Sequence, residues 1–243
     1  MKVDDKQLTG NSLNSIGAIY LNYLPDYEKA LHFLDSAESV RAEIGDQVNL
    51  GRTLQAKASA YDKLNMTDQA LQYFQKALAI NQKSGDQPRV AEASMHMGII
   101  FNSTGRYSEA LDNLETALSI YTGLDTKPQI SEVLTHTGFV YSNLGEYNTA
   151  VEKLNEAMEI SKEGGDKNGV AGAYNNLGIV YQDAGRLEKA KEYFDNSLQA
   201  YVELGDQLNE ISALNNIGIV YFHLSDYSKA AEYHVKGLER SLK

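Results

Sequence analysis

Glu92 with His96 and Glu132 with His136 are two carboxylate–imidazole pairs, each at i, i+4 and set forty residues from one another. On a helix such pairs share a face, and together they supply donors that could hold a divalent metal. Neighbouring helices, however, pack ~8–10 Å apart, which is wide for four ligands on one ion. The pairs therefore read as solvated helix-face residues, and no metal or other cofactor is expected. Histidine changes charge near pH ~6.5, so these positions could make binding sensitive to acidity. A second group is built from amides: Asn175, Asn176, Asn215 and Asn216, again forty residues apart. A side-chain amide donates and accepts at once, which suits holding the main chain of an extended peptide. The same asparagines could instead bond neighbouring helices and water. Catalysis has no comparable set. No nucleophile, base and orienting group stand out, and Glu163-Gly164-Gly165-Asp166-Lys167 lacks the preceding strand of a phosphate loop. An enzyme is not expected.

The spacing of forty runs through the chain. Ala30, Ala70, Ala110, Ala150, Ala190 and Ala230 mark one position, and Ala58, Gly98, Gly138, Gly178 and Gly218 mark another. Gly17 and Tyr20 bring the first copy into phase if one residue is inserted near Leu24-Pro25. A period of this length identifies stacked units, none of which buries its apolar face alone. The spacing predicts six repeats, approximately 5–45, 46–85, 86–125, 126–165, 166–205 and 206–243, in a single array over 1–243. Each reads as helix, tight turn and longer helix, so the fold class is all-α.

Junctions between repeats are legible in the same way. Asp46, Asp86, Asp166 and Asp206 stand where an N-cap acceptor is needed, with Thr126 and Asp5 in the remaining copies. Gly45, Gly85, Gly165 and Gly205 precede them as left-handed helix ends, a place Asp125 takes once. Pro88 and Pro128 fall in the first helical turn, where a missing amide costs little. Leu134, Thr137, Gly138 and Tyr141 share one face of a first helix; Ala150, Leu154, Ala157 and Met158 share one face of a second. The sixth copy departs, with His234, Gly237 and Arg240 at apolar or alanine positions. The array is expected to end near Lys243; the alternative is a segment cut from a longer protein.

Composition narrows the function classes. The chain carries a formal net charge of −11 over 243 residues, with no cysteine and no tryptophan. Disulfides and thiolate chemistry are unavailable, which suits a reducing, cytoplasmic setting. No stretch approaches the ~20 apolar residues of a membrane span, and MKVDDKQLTG has no apolar core of the signal-peptide type. The acidity disfavours nucleic acid, whose binding relies on neutralising lysines and arginines.

YNNLGIVYQDAGRLEKAKEYFDNSL and LNNIGIVYFHLSDYSKAAEYHVKGL resemble the tetratricopeptide repeat family in their order of Leu, Gly, Tyr, Ala, aromatic and Ala. The period of forty is similar to that of the longer-helix variety in kinesin light chains, Pins-type adaptors and bacterial regulators such as Rap-type peptide receptors. The resemblance implies a right-handed superhelical solenoid whose first helices line a concave groove, and it implies protein or peptide binding. If the Leu/Gly/Tyr face packs inward, the groove face carries Asn175, Asn176, Ile179, Gln182 and Asp183, then Asn215, Asn216, Ile219 and His223. Earlier copies place His96, Ile99 and Asn102, and His136, Phe139 and Asn143, on that face. Ile99, Phe139, Ile179 and Ile219 form either a stripe for partner side chains or positions buried by curvature. Chaperone-binding members grip a terminal carboxylate there, but Glu92 and Glu132 follow Arg52 and Lys63 in this chain. No carboxylate clamp is expected, and a partner of some basic character fits better. The expected function is a non-enzymatic scaffold that binds a protein or peptide segment. The rivals are a regulatory or sensory segment of a larger signalling protein, and self-association.

Overall fold

A computed structural model describes residues 3–242; Met1, Lys2 and Lys243, where the array was expected to end, lie outside the described residues. Twelve α-helices, and no strand, are found among the described residues. They form six hairpins: α1 (Val3–Asn22) with α2 (Tyr27–Ile44), α3 (Gln47–Lys63) with α4 (Thr67–Ser84), and α5 (Gln87–Ser103) with α6 (Tyr107–Gly123). The pattern continues with α7 (Lys127–Asn143) and α8 (Tyr147–Glu163), α9 (Lys167–Asp183) and α10 (Leu187–Leu204), and α11 (Gln207–His223) and α12 (Tyr227–Ser241). Packing divides the chain into two compact units, one ending at Ile120 and one beginning at Tyr121. In the first, α2 packs on α3 and α4 on α5; in the second, α8 packs on α9 and α10 on α11. First helices of successive repeats also touch, α1 with α3, α3 with α5 and α7 with α9.

The junction chemistry explains where the helices begin and end. Asp46, Asp86, Asp166 and Asp206 each accept from the backbone amide three residues on, at 3.3, 3.4, 2.9 and 3.1 Å. Replacing Asp46 with alanine is expected to cost about 1 kcal/mol, and with asparagine a few tenths; urea unfolding of both variants checks the order. Gly45, Gly85, Gly165 and Gly205 have φ between 70° and 73°, and Asp125 substitutes at φ 52°. Two expectations fail. Helix α1 already begins at Val3, so Asp5 lies inside its first turn instead of capping it. Thr126 occupies the N-cap of α7 without a side-chain cap bond, because its hydroxyl donates back to the Tyr121 carbonyl at 3.2 Å.

The core repeats with the sequence. Leu34, Phe74, Leu114, Leu154 and Phe194 are fully buried at one position of five successive second helices, and the sixth copy exposes His234 there. Leu34, Leu114, Leu154 and Phe194 each face a glycine of the first helix: a Cβ on Gly138 would lie 2.9 Å from Leu154 Cγ, and one on Gly178 would lie 2.6 Å from the Phe194 ring. At these glycines the helices approach too closely for a methyl group to enter without a shift of the facing side chain. Among the described residues, no helix is long and apolar enough to cross a membrane.

Candidate functional site

Three first helices of the first unit, α1, α3 and α5, line one cavity of ≈ 520 Å³. Helix α3 contributes Arg52, Gln55, Ser59 and Lys63, whose spacing puts them along one helical face. Helix α1 contributes Asn14 and Asn22, and α5 contributes Arg89, Glu92 and His96. Three cations thus meet one carboxylate in a chain that is acidic overall. Arg89 is shared with carboxylates of its own helix start, its Nε 3.5 Å from Asp86 and its Nη1 3.8 Å from Glu92. Arg52 and Lys63 are exposed. Gln55 is only 4% exposed, and both its amide atoms are buried without a hydrogen-bond partner in the protein. A buried amide left unmatched costs ~1–3 kcal/mol, so this side chain favours a ligand group that supplies a partner.

Behind the cavity lies a buried guanidinium. Arg41 donates to Asn14 Oδ1 and Asn11 Oδ1 at 3.1 Å, to the Asn49 carbonyl at 2.7 Å and to the Thr53 hydroxyl. These acceptors are all uncharged. Burial pulls its pKa below the usual arginine range, partly offset by the charge of Asp46. Asn14 therefore turns one oxygen to Arg41 while it lines the cavity.

The residues singled out from the sequence divide between the two units. In the first, His96, Ile99 and Asn102 on α5 are all half-buried. The His96 ring lies flat against Phe74, centroids 5.4 Å apart and planes 12° from parallel, so it is a packed side chain as much as a solvated one. In the second unit, His136 and Phe139 on α7 are half-buried and Asn143 is exposed. No three metal-ligating side chains converge among the described residues.

Asparagines of the second unit bond neighbouring helices. Asn216 Nδ2 donates to Asn175 Oδ1 at 2.8 Å, linking α11 to α9, and Asn215 Oδ1 stands 3.2 Å from His234 Nδ1 on α12. The position three before the glycine thus serves neighbouring helices. Asn176 and Gln182 are half-buried, Asp183 and His223 are exposed, and burial raises the Asp183 carboxyl above its ordinary value. Ile179 packs against the core of Tyr181, Phe194 and Ile217, whereas Ile219 and the neighbouring Phe222 are exposed. The apolar stripe is therefore half-covered, most open at α11.

Arg89, Gln55 and Asn14 were missed as site residues. Gln55 stands three before Ala58, the same place as Asn175, but the sequence reading took that place only from later copies. Arg89 stands one turn nearer the helix start than Glu92, the earliest position counted on that helix. Extending the same face toward the N-terminus would have found it.

A sequence model described as tetratricopeptide repeat matches residues 4–83, 89–163 and 169–243, nearly the whole chain. The chain belongs to the tetratricopeptide repeat family. A model of the SusR N-terminal tetratricopeptide repeat domain also matches residues 58–119. No curated protein matches the chain. Solved structures of this fold include BtubC from P. vanneervenii, 16% identical, covering 99% of this chain and 89% of that one at a TM-score of 0.70. Another is a signal transduction ATPase with numerous domains and a tetratricopeptide repeat sensor, from Pyrococcus horikoshii. It is 21% identical with a TM-score of 0.80; the match covers 96% of this repeat chain but 36% of the ATPase. A Rap protein complexed with competence and sporulation factor is 14% identical, covering 99% and 77% of the two chains at a TM-score of 0.70. What these structures share with the chain is its fold.

Proposed function

We propose that this tetratricopeptide repeat protein is a non-enzymatic, cytoplasmic scaffold, a single array over 1–243 that binds a protein or peptide segment along its first helices. The observation that carries the reading is the cavity between α1, α3 and α5, where Arg52, Lys63 and Arg89 surround the unmatched amide of Gln55. Membership of a family built for protein interaction supports the general statement, and the cavity supplies the chemistry. Glu92 and Glu132 pointed to a partner of basic character, and basic side chains remain suited to those positions. Over α3 the balance is reversed, so the partner segment is acidic there. In the second unit Asn176, Gln182, Asn216 and the open apolar edge at Ile219 serve an extended main chain with apolar side chains. Asn175 and Asn215 hold the neighbouring helices in place, and His223 and Asp183 flank the face.

Selection from a random peptide library tests this directly: enrichment of Asp and Glu is expected, and an enriched pool without acidic residues would sink the acidic assignment. An Arg52→Glu, Lys63→Glu double variant should bind a selected acidic peptide at least tenfold more weakly, about 1.4 kcal/mol. Because both side chains are exposed, the fold should be untouched. Asn176→Ala should weaken binding without unfolding, whereas Asn216→Ala also removes the bond to Asn175. A second reading, a sensory segment of a larger signalling protein, draws on the likeness to the repeat sensor of the Pyrococcus ATPase. A kinase, cyclase or ATPase domain in the same reading frame would favour it.

A further inference from the structure

The fifth repeat breaks the pattern where α9 begins and α10 ends. Second helices carry isoleucine at one register, Ile80, Ile120 and Ile160, and α10 has Ala200 there. In the second repeat that isoleucine fills space: Ile80 packs against the cluster of Leu50, Leu54 and Ala77. The counterparts of Leu50 and Leu54 on α9 are Val170 and Tyr174, and with Ala200 and Leu204 they line a cavity of ≈ 480 Å³. These walls are fixed from behind. Val170 and Tyr174 pack on the core that contains Leu154 and Leu177, and Ala200 and Leu204 pack on that of Ala171, Tyr201 and Ala213.

The rim departs in the same repeat. Lys127 of the fourth repeat pairs with Glu163 at 3.0 Å, and Lys6 of the first pairs with Glu43 at the corresponding places. Lys167 and Glu203 hold that register on the cavity, but no ion pair joins them among the described residues. Both rim carboxylates have other donors: Asp166 accepts from the Gly169 amide at 2.9 Å, and Glu203 accepts from Gln199 Nε2 at 3.0 Å. Lys162, also on the rim, reaches Glu159 at 2.7 Å, a solvent-exposed pair that holds the ammonium only weakly. Lys167 is thus the rim's unpaired cation.

We infer that this cavity binds a small carboxylic acid with an aromatic or branched apolar body. The body lies on Val170, Tyr174 and Ala200, and the carboxylate meets Lys167, with Lys162 beside it. Apolar walls, few charged groups and a volume within the ~300–1,000 Å³ of small-ligand sites suit such a molecule. The site shares no residue with the cavity of α1, α3 and α5 or with the asparagine face. It stands or falls independently of the peptide-binding reading.

Nuclear magnetic resonance titration of the full chain with phenylacetate and with isocaproate tests this. Either acid should move the amide resonances of Val170, Tyr174 and Ala200 in a saturable way. Phenylacetamide, of the same shape without the charge, and acetate, the head without the body, should each bind roughly tenfold more weakly or not at all. Ala200→Ile, which restores the residue of the sister repeats, should abolish the shifts. Lys167→Gln, matching Gln47, Gln87 and Gln207 at this register, should weaken binding roughly tenfold. Both variants borrow residues that the array already holds at these positions, and circular dichroism should show them folded. No saturable shift with either acid, shifts confined to the first unit, equal binding of phenylacetamide, or binding that survives Ala200→Ile or is unchanged by Lys167→Gln would each overturn the inference.

Discussion

Phe194→Ala is expected to destabilise the protein by roughly 3–5 kcal/mol. The ring is fully buried in a cluster with Tyr181, Ala190, Ile217 and Val220, so its loss is felt on both sides of the α10–α11 seam. It lies over Gly178, which has no side chain to move into the space; a Cβ there would already stand 2.6 Å from the ring. A cavity that cannot collapse places the cost toward the upper end of that range. Phe194→Leu should cost far less, because Gly98 with Leu114 and Gly138 with Leu154 show that glycine opposite leucine packs well. Gly178→Ala should fall between them, near 1–3 kcal/mol. The second repeat holds alanine at Ala58 and phenylalanine at Phe74, both buried, so a slightly wider seam accommodates the pair. In a repeat stack, stability is a sum of local interfaces. Hydrogen exchange should therefore show Phe194→Ala loosening α9 to α12 while α1 to α4 keep their protection; uniform loss across the chain would refute this locality.

What could be read from the sequence was what is local and repeated. The Gly-Asp junctions, the glycine facing a large apolar residue, and the pairing of helices each depend on residues a few turns apart, and six copies amplify the signal. Contacts made by only one or two copies were not legible. Asp26 and Asp226 cap second helices, accepting from the amides of Lys29 and Lys229, at a position where other copies have Met66, Glu146 or Arg186. The cation cluster needs Arg52 and Arg89 from different helices, and their proximity depends on how α3 and α5 pack. Among the asparagines, spacing put Asn175 and Asn216 on corresponding helices, but only the packing of successive repeats decides that they bond each other. An amphipathic pattern tells which face is buried. It does not tell which polar side chain a neighbour will claim.

Lys57 is the clearest such case, and it carries the second large effect. Its position in the repeat belongs to the seam, occupied elsewhere by the buried Met97, Leu177 and Ile217, yet the lysine is itself only 3% exposed. Its Nζ lies 2.6 Å from Asp35 and 2.5 Å from Glu38 on α2, donates to the Tyr73 hydroxyl at 3.1 Å, and stands 4.2 Å from the Tyr73 ring centre. Burial works against the charge, but the bonds to Asp35, Glu38 and Tyr73 outweigh it and raise the ammonium pKa well above the ordinary lysine range. Lys57→Ala should cost about 2–3 kcal/mol, less than the roughly 3–5 of breaking a fully buried pair, because Asp35 and Glu38 reach water once released. Lys57→Met should cost about 1 kcal/mol: it refills the seam as Met97 does, and only the attraction to two carboxylates is lost. The pH dependence has a fixed sign. A lysine whose pKa is raised on folding contributes fully below its unfolded value of ~10.4 and loses that contribution as pH climbs through the folded value. Urea unfolding of wild type and Lys57→Met should therefore differ by a constant amount from neutral pH to ~10 and converge above it. A difference that persists unchanged in strong alkali would mean that Lys57 stabilises the seam by packing alone.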